Sequence, residues 1–162
     1  MKKCVFAGTF DPPTYGHKRV VENSLKIFDE VVVAILINPE KQTLFTVEER
    51  VALLKKLFAG EKRVRILSFD GAVVDLLERE NTPFYVRGVR NTIDFDYENA
   101  NFFANRKLKE DIVTIYFPAG QEELHISSSL VRNSFKFNKE FCEYIPKEII
   151  EEIKILLNDR KG

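Results

Sequence analysis

Cysteine and histidine are scarce in this 162-residue chain: Cys4 and Cys142, His17 and His125, and no others. Two cysteines cannot build a disulfide framework, and neither histidine stands at ligand spacing from a cysteine, so no metal site is expected. Such cysteine usage fits a reduced, cytosolic compartment. An excess of charge is lacking too. The 25 Lys and Arg balance 25 Asp and Glu, which argues against a globally basic nucleic-acid binder while leaving room for a small basic site. Long apolar runs are missing. The longest, residues 31–37, is far short of the ~20 residues of a membrane span, so no membrane association is expected. Only residues 4–7 separate Lys2-Lys3 from Gly8, too little for a signal-peptide core. The glycines at 8, 16, 60, 71, 88, 120 and 162 form neither GxGxxG nor GxxxxGK[ST]. If this is a nucleotide enzyme, it holds phosphates in another way.

What is present suffices for a core. The hydrophobic fraction is 44% and the charged fraction 31%, the balance of a soluble globular protein. At this length one domain, 1–162, is expected, burying very roughly 70% of its unfolded surface. There is no repeat, low-complexity stretch or linker.

Two kinds of segment alternate. Residues 4–7 are apolar and stop at Gly8. Residues 17–28 carry Val21, Leu25 and Phe28 at helical spacing. Residues 31–37 are a continuous β-branched run ended by Asn38-Pro39, the mark of a strand covered on both faces. Thr46 and Glu49 have the form of a capping box, opening a helix with Val47, Val51, Leu54 and Phe58 on one face and Gly60 at its end. A strand over 64–69, a helix over 73–79 broken by Thr82-Pro83, and a strand over 84–87 follow. A helix over 95–108, a strand over 112–117 and helices over 128–137 and 147–157 complete the chain. The alternation predicts an α/β fold, a doubly wound five-stranded parallel sheet with C-terminal helices. Ligands then bind beyond the carboxyl ends of the strands.

After the first strand stands Gly8-Thr9-Phe10-Asp11-Pro12-Pro13-Thr14-Tyr15-Gly16-His17. Gly8 permits close backbone approach, and Gly16-His17 opens a helix whose free N–H groups favour an anion. The residues alone leave this open: an anion site, or a tight turn with a histidine near a cap. Likewise Lys41 reads as a loop lysine or a phosphate ligand, and Arg87 and Arg90 as surface charges or anion ligands. Glu98 reads as a helix surface residue, and Ser127–Ser129 as a cap or a phosphate turn. Asp11 is read as shaping its turn. Cys4 and Cys142 look structural, and His125 reads as a partly exposed loop residue.

Thr14-Tyr15-Gly16-His17 resembles the (T/H)xGH signature of the nucleotidyltransferase superfamily. The whole stretch GTFDPPTYGH is similar to bacterial phosphopantetheine adenylyltransferases. Four more blocks match in order: Asn38-Pro39-Glu40-Lys41 with Phe45–Arg50, Phe84–Arg90, Asp94–Glu98, and Ile126–Val131. The resemblance spans roughly residues 3 to 157. It implies a Rossmann-like fold and transfer of AMP from ATP, with Mg²⁺, to 4′-phosphopantetheine, giving dephospho-CoA and pyrophosphate by direct in-line attack. By resemblance, His17, Lys41, Thr9 and Arg90 are catalytic. Thr9, Phe10, His17, Gly88, Val89, Arg90, Glu98 and the stretch Glu123, Leu124, His125, Ile126, Ser127, Ser128, Ser129 would meet ATP. Thr9, Lys41, Val73 (with Ala72) and Arg87 would meet the acceptor. The family is usually a cytoplasmic homohexamer inhibited by CoA. Phe102, Phe103, Phe135, Phe137 and Phe141 could serve an interface or the core.

Departures exist. Glu122-Glu123-Leu124-His125 stands where members carry an aromatic, a serine and another aromatic. Asn91-Thr92-Ile93 replaces a small-residue run, and Pro13 an aliphatic. None removes a cation or phosphate donor. Two alternatives stay: a related cytidylyltransferase or nicotinamide-mononucleotide adenylyltransferase, against which the RGVR and DFDYE blocks argue, and an inactive nucleotide-binding module.

Overall fold

A computed structural model describes residues 1–160; of the expected span 1–162, Lys161 and Gly162 lie outside the described residues. The strands are β1 (Lys3–Gly8), β2 (Glu30–Leu36), β3 (Val64–Phe69), β4 (Phe84–Val89) and β5 (Val113–Pro118). The helices are α1 (Tyr15–Ser24), α2 (Val47–Leu57), α3 (Val73–Arg79), α4 (Thr92–Leu108), α5 (Ser128–Lys136) and α6 (Ile150–Asp159). Single 3-10 turns lie at Gln121–Glu123, Cys142–Tyr144 and Lys147–Ile149.

The sheet is wholly parallel, in the order β3-β2-β1-β4-β5. Interior strand β2 is covered on both faces, and Val31 through Ile35 are fully buried. Side chains alternate between faces with a period of two. Cys4, Phe6, Val31, Val33 and Ile35 therefore meet Val20 and Val21 of α1 and Leu54 of α2. Val5, Ala7, Val32 and Ala34 meet Val73, Val74, Leu76 and Leu77 of α3 on the other side. Each Val, Leu, Ile or Phe among them contributes about 1.5–3 kcal/mol when fully buried. The far side of α2, through Leu53 and Leu57, packs on Val131, Ile145, Ile149 and Ile153 and docks the C-terminal helices.

Several boundaries differ from expectation. Helix α1 covers Tyr15–Ser24 rather than 17–28. The Ser24 hydroxyl bonds back to the Val20 carbonyl at 2.7 Å, and the chain turns there while Leu25 and Phe28 still reach the core. Apolar spacing follows burial, not the hydrogen-bond ladder. Helix α4 starts at Thr92, three residues before expectation, because the Asn91 side chain accepts from the Asp94 amide at 2.9 Å. Residues 147–149 are a 3-10 turn ahead of α6. Gly60 lies in the turn after α2, whose last residue is Leu57. Strand β4 runs on to Val89, since Gly88 and Val89 pair with Phe117 and Pro118 of β5.

The strand order reverses between β1 and β4, the switch point at which such sheets open a crevice. Strands β1 and β4 register through Val5↔Tyr85, beyond which the ladder stops. The Arg87 guanidinium takes the carbonyl of Ala7 instead. Helix α1 crosses close to β4: a Cβ on Gly88 would lie 2.8 Å from Cγ2 of Val20.

Candidate active site

The loop after β1 is shaped by its own residues. Phe10 adopts a positive φ of 52°, and its buried ring folds back toward Gly8, where a Cβ would stand 3.3 Å from it. That ring packs edge-on against Phe6 at 5.2 Å and His17 at 4.8 Å. At the start of α1 the Thr14 amide donates to Nδ1 of His17 at 3.0 Å. An imidazole nitrogen that accepts a backbone N–H carries no proton, so the neutral ring holds its hydrogen on Nε2. Removal from solvent, and next the charges of Arg87 and Arg90, lower the His17 pKa from 6.5 to about 4. His17 is therefore a neutral N–H donor at neutral pH.

Long-range bonds lock the loop. The buried Asp11 carboxylate accepts from the amides of Leu44 and Phe45 at 2.8 and 2.9 Å. Buried Arg50 donates to the Thr9 carbonyl at 2.8 Å and to the Phe45 carbonyl at 3.0 Å. From α5, Arg132 donates to the Asp11 carbonyl at 2.7 Å and Ser128 to that of Pro12 at 2.9 Å. The loops after β1 and β2 and the start of α5 are thus one bonded unit.

The crevice has two lobes. The first, about 390 Å³, is lined by His17, Arg90, Ser127, Ser128 and Arg132 among others. The second, about 480 Å³, is lined by Lys41, Val73, Tyr85, Asn101 and Asn105 among others. Ala7, Gly8, Thr9, Arg87, Tyr97 and Glu98 line both. The arrangement can hold two anionic molecules end to end, meeting at Thr9 and Arg87.

Arginines in and around the first lobe are braced by carboxylates. Arg87 pairs with Glu98 at 2.5 Å, Arg90 with Asp94 at 2.8 Å, and Arg19 with Glu123 at 2.8 Å. Arg132 lies 3.9 Å from Asp11. The hydrogen bonds to Arg90 hold the Asp94 carboxyl below the usual range. Lys41 is different: it is exposed, and its Nζ lies 3.3 Å from Oγ1 of Thr9, with no carboxylate partner among the described residues. Bracing orients the forks before any ligand arrives and keeps the site's net charge small.

Of the residues singled out in the sequence, Thr9, Phe10, His17, Arg87, Gly88, Val89, Arg90, Glu98, Glu123, Ile126, Ser127 and Ser128 line the first lobe. Lys41 and Val73 line the second. Leu124 is 46% exposed and lines neither. The exposed His125 packs its ring on Tyr144 at 5.8 Å. Ser129 is outside the wall, its hydroxyl accepting from Arg132 at 3.0 Å. Ala72 caps α3 between Gly71 and Val73, which line the second lobe, and itself lines neither lobe. Burial raises the Cys4 thiol to about 12, and neither cysteine lines the lobes.

Arg132, Arg19 and Arg50 were not legible as site residues. Arg132 follows Ser128 by four residues, one helical turn, and that spacing was its available signal. Burial of Arg50 has none, because its carbonyl partners belong to a distant loop as well as its own turn.

Comparison with known proteins agrees with this geometry. Residues 5–134 match the cytidylyltransferase-like family. The chain is 35% identical over 162 residues to a phosphopantetheine adenylyltransferase of Clostridium perfringens, covering 100% of this chain and 99% of that protein. A phosphopantetheine adenylyltransferase of Nautilia profundicola is 37% identical over 151 residues, with 93% and 98% covered. Among solved structures, that of a candidate nicotinate-nucleotide adenylyltransferase from Vibrio parahaemolyticus superimposes with a TM-score of 0.68 at 27% identity, covering 98% of this chain and 100% of that one.

Proposed function

The chain belongs to the cytidylyltransferase-like family and, within it, to the phosphopantetheine adenylyltransferases, and from that premise we infer how its residues carry out the reaction. It is a nucleotidyltransferase of CoA biosynthesis that moves AMP from ATP to 4′-phosphopantetheine. The observation that carries the reading is the two-lobed crevice whose halves meet at Thr9 and Arg87, beside a neutral His17.

The acceptor phosphate is already anionic near neutral pH and needs no strong base. The barrier lies in bringing two anions together and stabilising charge on a crowded phosphorus, so positioning and electrostatics supply most of the rate. ATP occupies the first lobe and the acceptor the second. Nε2–H of His17 donates to an α-phosphate oxygen, where charge grows in the transition state. Lys41, tethered to Thr9, brings an unbraced cation to the junction. Arg87 receives the acceptor phosphate. Arg90 and the Ser127-Ser128 start of α5 take the β,γ-phosphates, with the N–H groups of that helix start as donors. Gly88 and Val89 line the nucleotide, and Val73 the pantetheine arm. Mg²⁺ enters as part of the ATP substrate. The crevice offers cations and N–H donors, which suit the phosphates that carry the metal. Dephospho-CoA and pyrophosphate leave. CoA carries the same arm as the acceptor, which supports its acting as a feedback inhibitor in the second lobe.

The chain acts as one nucleotidyltransferase domain, in the cytoplasm; no helix among the described residues is long and apolar enough to cross a membrane. It assembles as a homohexamer. Support comes from α4 and the edge strand β5, which leave Ile93, Tyr97, Phe103, Leu108 and Val113 45–77% exposed.

The test is pyrophosphate release by purified protein with ATP, Mg²⁺ and phosphopantetheine, beside nicotinate mononucleotide and CTP-dependent acceptors. Release with phosphopantetheine is expected. Turnover only with another acceptor favours a relative's specificity, and ATP binding without turnover an inactive module.

A further inference from the structure

Where the two lobes join, a carboxylate is set against the arginine that meets the acceptor. Arg87 and Tyr116 are partners in the β4–β5 register, and Arg87 stands on the same sheet face as Tyr85, its guanidinium 5.6 Å from the Tyr85 ring. Over this group α4 lays Glu98, its one buried residue. Arg87 Nη2 donates to Oε1 of Glu98 at 2.5 Å, and Nη1 donates to the Ala7 carbonyl. Arg87 Nε has no partner among the described residues.

A glutamate here cancels charge at a phosphate site and is costly to bury. Its geometry explains its presence. An arginine side chain samples many rotamers, and ordering it costs conformational entropy. Glu98 and the Ala7 carbonyl each hold one N–H of a terminal nitrogen of the fork and leave the second N–H of each for an anion. Oε1 of Glu98 is engaged by Arg87 before any ligand binds.

We propose that Glu98 is a positioning residue for the acceptor phosphate, acting through Arg87. This rests on the adenylyltransferase reading and assigns Glu98 to the acceptor side of that site. The experiment compares the apparent KM for each substrate, with the other saturating, in wild type, Glu98→Ala, Glu98→Gln and Arg87→Ala, each also checked by thermal melting. Glu98→Ala is expected to raise the phosphopantetheine KM about tenfold and to move the ATP KM less than about threefold. Glu98→Gln keeps an acceptor oxygen for Arg87 and restores most of the loss. Adding Glu98→Ala to Arg87→Ala is expected to cost nothing further. If Glu98→Ala does not fold, Glu98→Met, which fills similar space without an acceptor, takes its place. A rise confined to the ATP KM, or additive losses in the double variant, overturns the assignment. Wild type that turns over no phosphopantetheine sinks the functional reading itself; active wild type with unaltered acceptor KM in the variants sinks the Glu98 role alone.

Discussion

The Thr14 amide donates to Nδ1 of His17 at 3.0 Å, so the residue that caps α1 also decides which nitrogen of the histidine carries the proton. With the Phe10 ring edge against it at 4.8 Å, the imidazole has its tautomer and its plane set before substrate binds. An orientation fixed in advance costs no reorganisation during the reaction.

Replacing His17 by Ala is therefore expected to lower kcat by at least ~10²-fold, about 2.7 kcal/mol of transition-state stabilisation. Steady-state kinetics check this, and a loss below tenfold means that His17 is not aimed at the α-phosphate.

The same histidine makes stability depend on pH. Its folded-state pKa is lowered to about 4, from 6.5, so between those values the unfolded chain binds more protons. The contribution is present above pH 6.5 and is lost as pH falls through 6.5 toward 4. Urea denaturation across this window should show stability falling more steeply in wild type than in His17→Gln. Equal slopes contradict a neutral, desolvated ring.

Lys41→Ala should lower kcat and raise KM, because its charge acts before and during transfer. Stability should stay within about 0.5 kcal/mol, since the side chain is exposed. An unchanged KM for both substrates removes Lys41 from the junction.

Asp11→Ala leaves the amides of Leu44 and Phe45 unpaired beside a fully buried Phe45. A cost of about 2–4 kcal/mol is expected by chemical denaturation. Asp11→Asn, which retains one acceptor, should cost less. A change below 0.5 kcal/mol would show that the carboxylate does not hold the loop.

Gly88→Ala forces a methyl to 2.8 Å from Val20 Cγ2 and should cost about 1–3 kcal/mol through overpacking. Combined with Val20→Ala it should cost less than the sum of the single changes. Strict additivity would place the strain elsewhere.

Much of the framework was legible along the chain. The β-branched run of β2, the Thr46–Glu49 cap of α2 and the bounds of β3 and α3 follow from local periodicity and punctuation. Residues 84–87 read as a whole strand because Arg87 breaks the apolar run, yet β4 continues to Val89 on its ladder with β5. His17, Lys41, Arg87 and Arg90 stood in recognisable blocks. Arg50 closed another block and Arg132 followed one, but the bonds they make were not legible, since their partners Thr9 and Asp11 lie on another loop.

By itself the sequence determined the order of strands and helices and the donors present at strand ends and helix starts. These depend on residue spacing over a few positions, where side-chain period and capping chemistry act. Tertiary structure decided which donors meet. Arg87 reaches Ala7, eighty residues away, because burying both faces of β1 and β2 places β4 beside β1 at the switch point. Asp11 closes on Leu44 and Phe45 for the same reason: β1 and β2 are neighbours, so their carboxyl-end loops share one rim. Contacts across such separations follow from the burial of whole sheet faces, which no short stretch of sequence encodes.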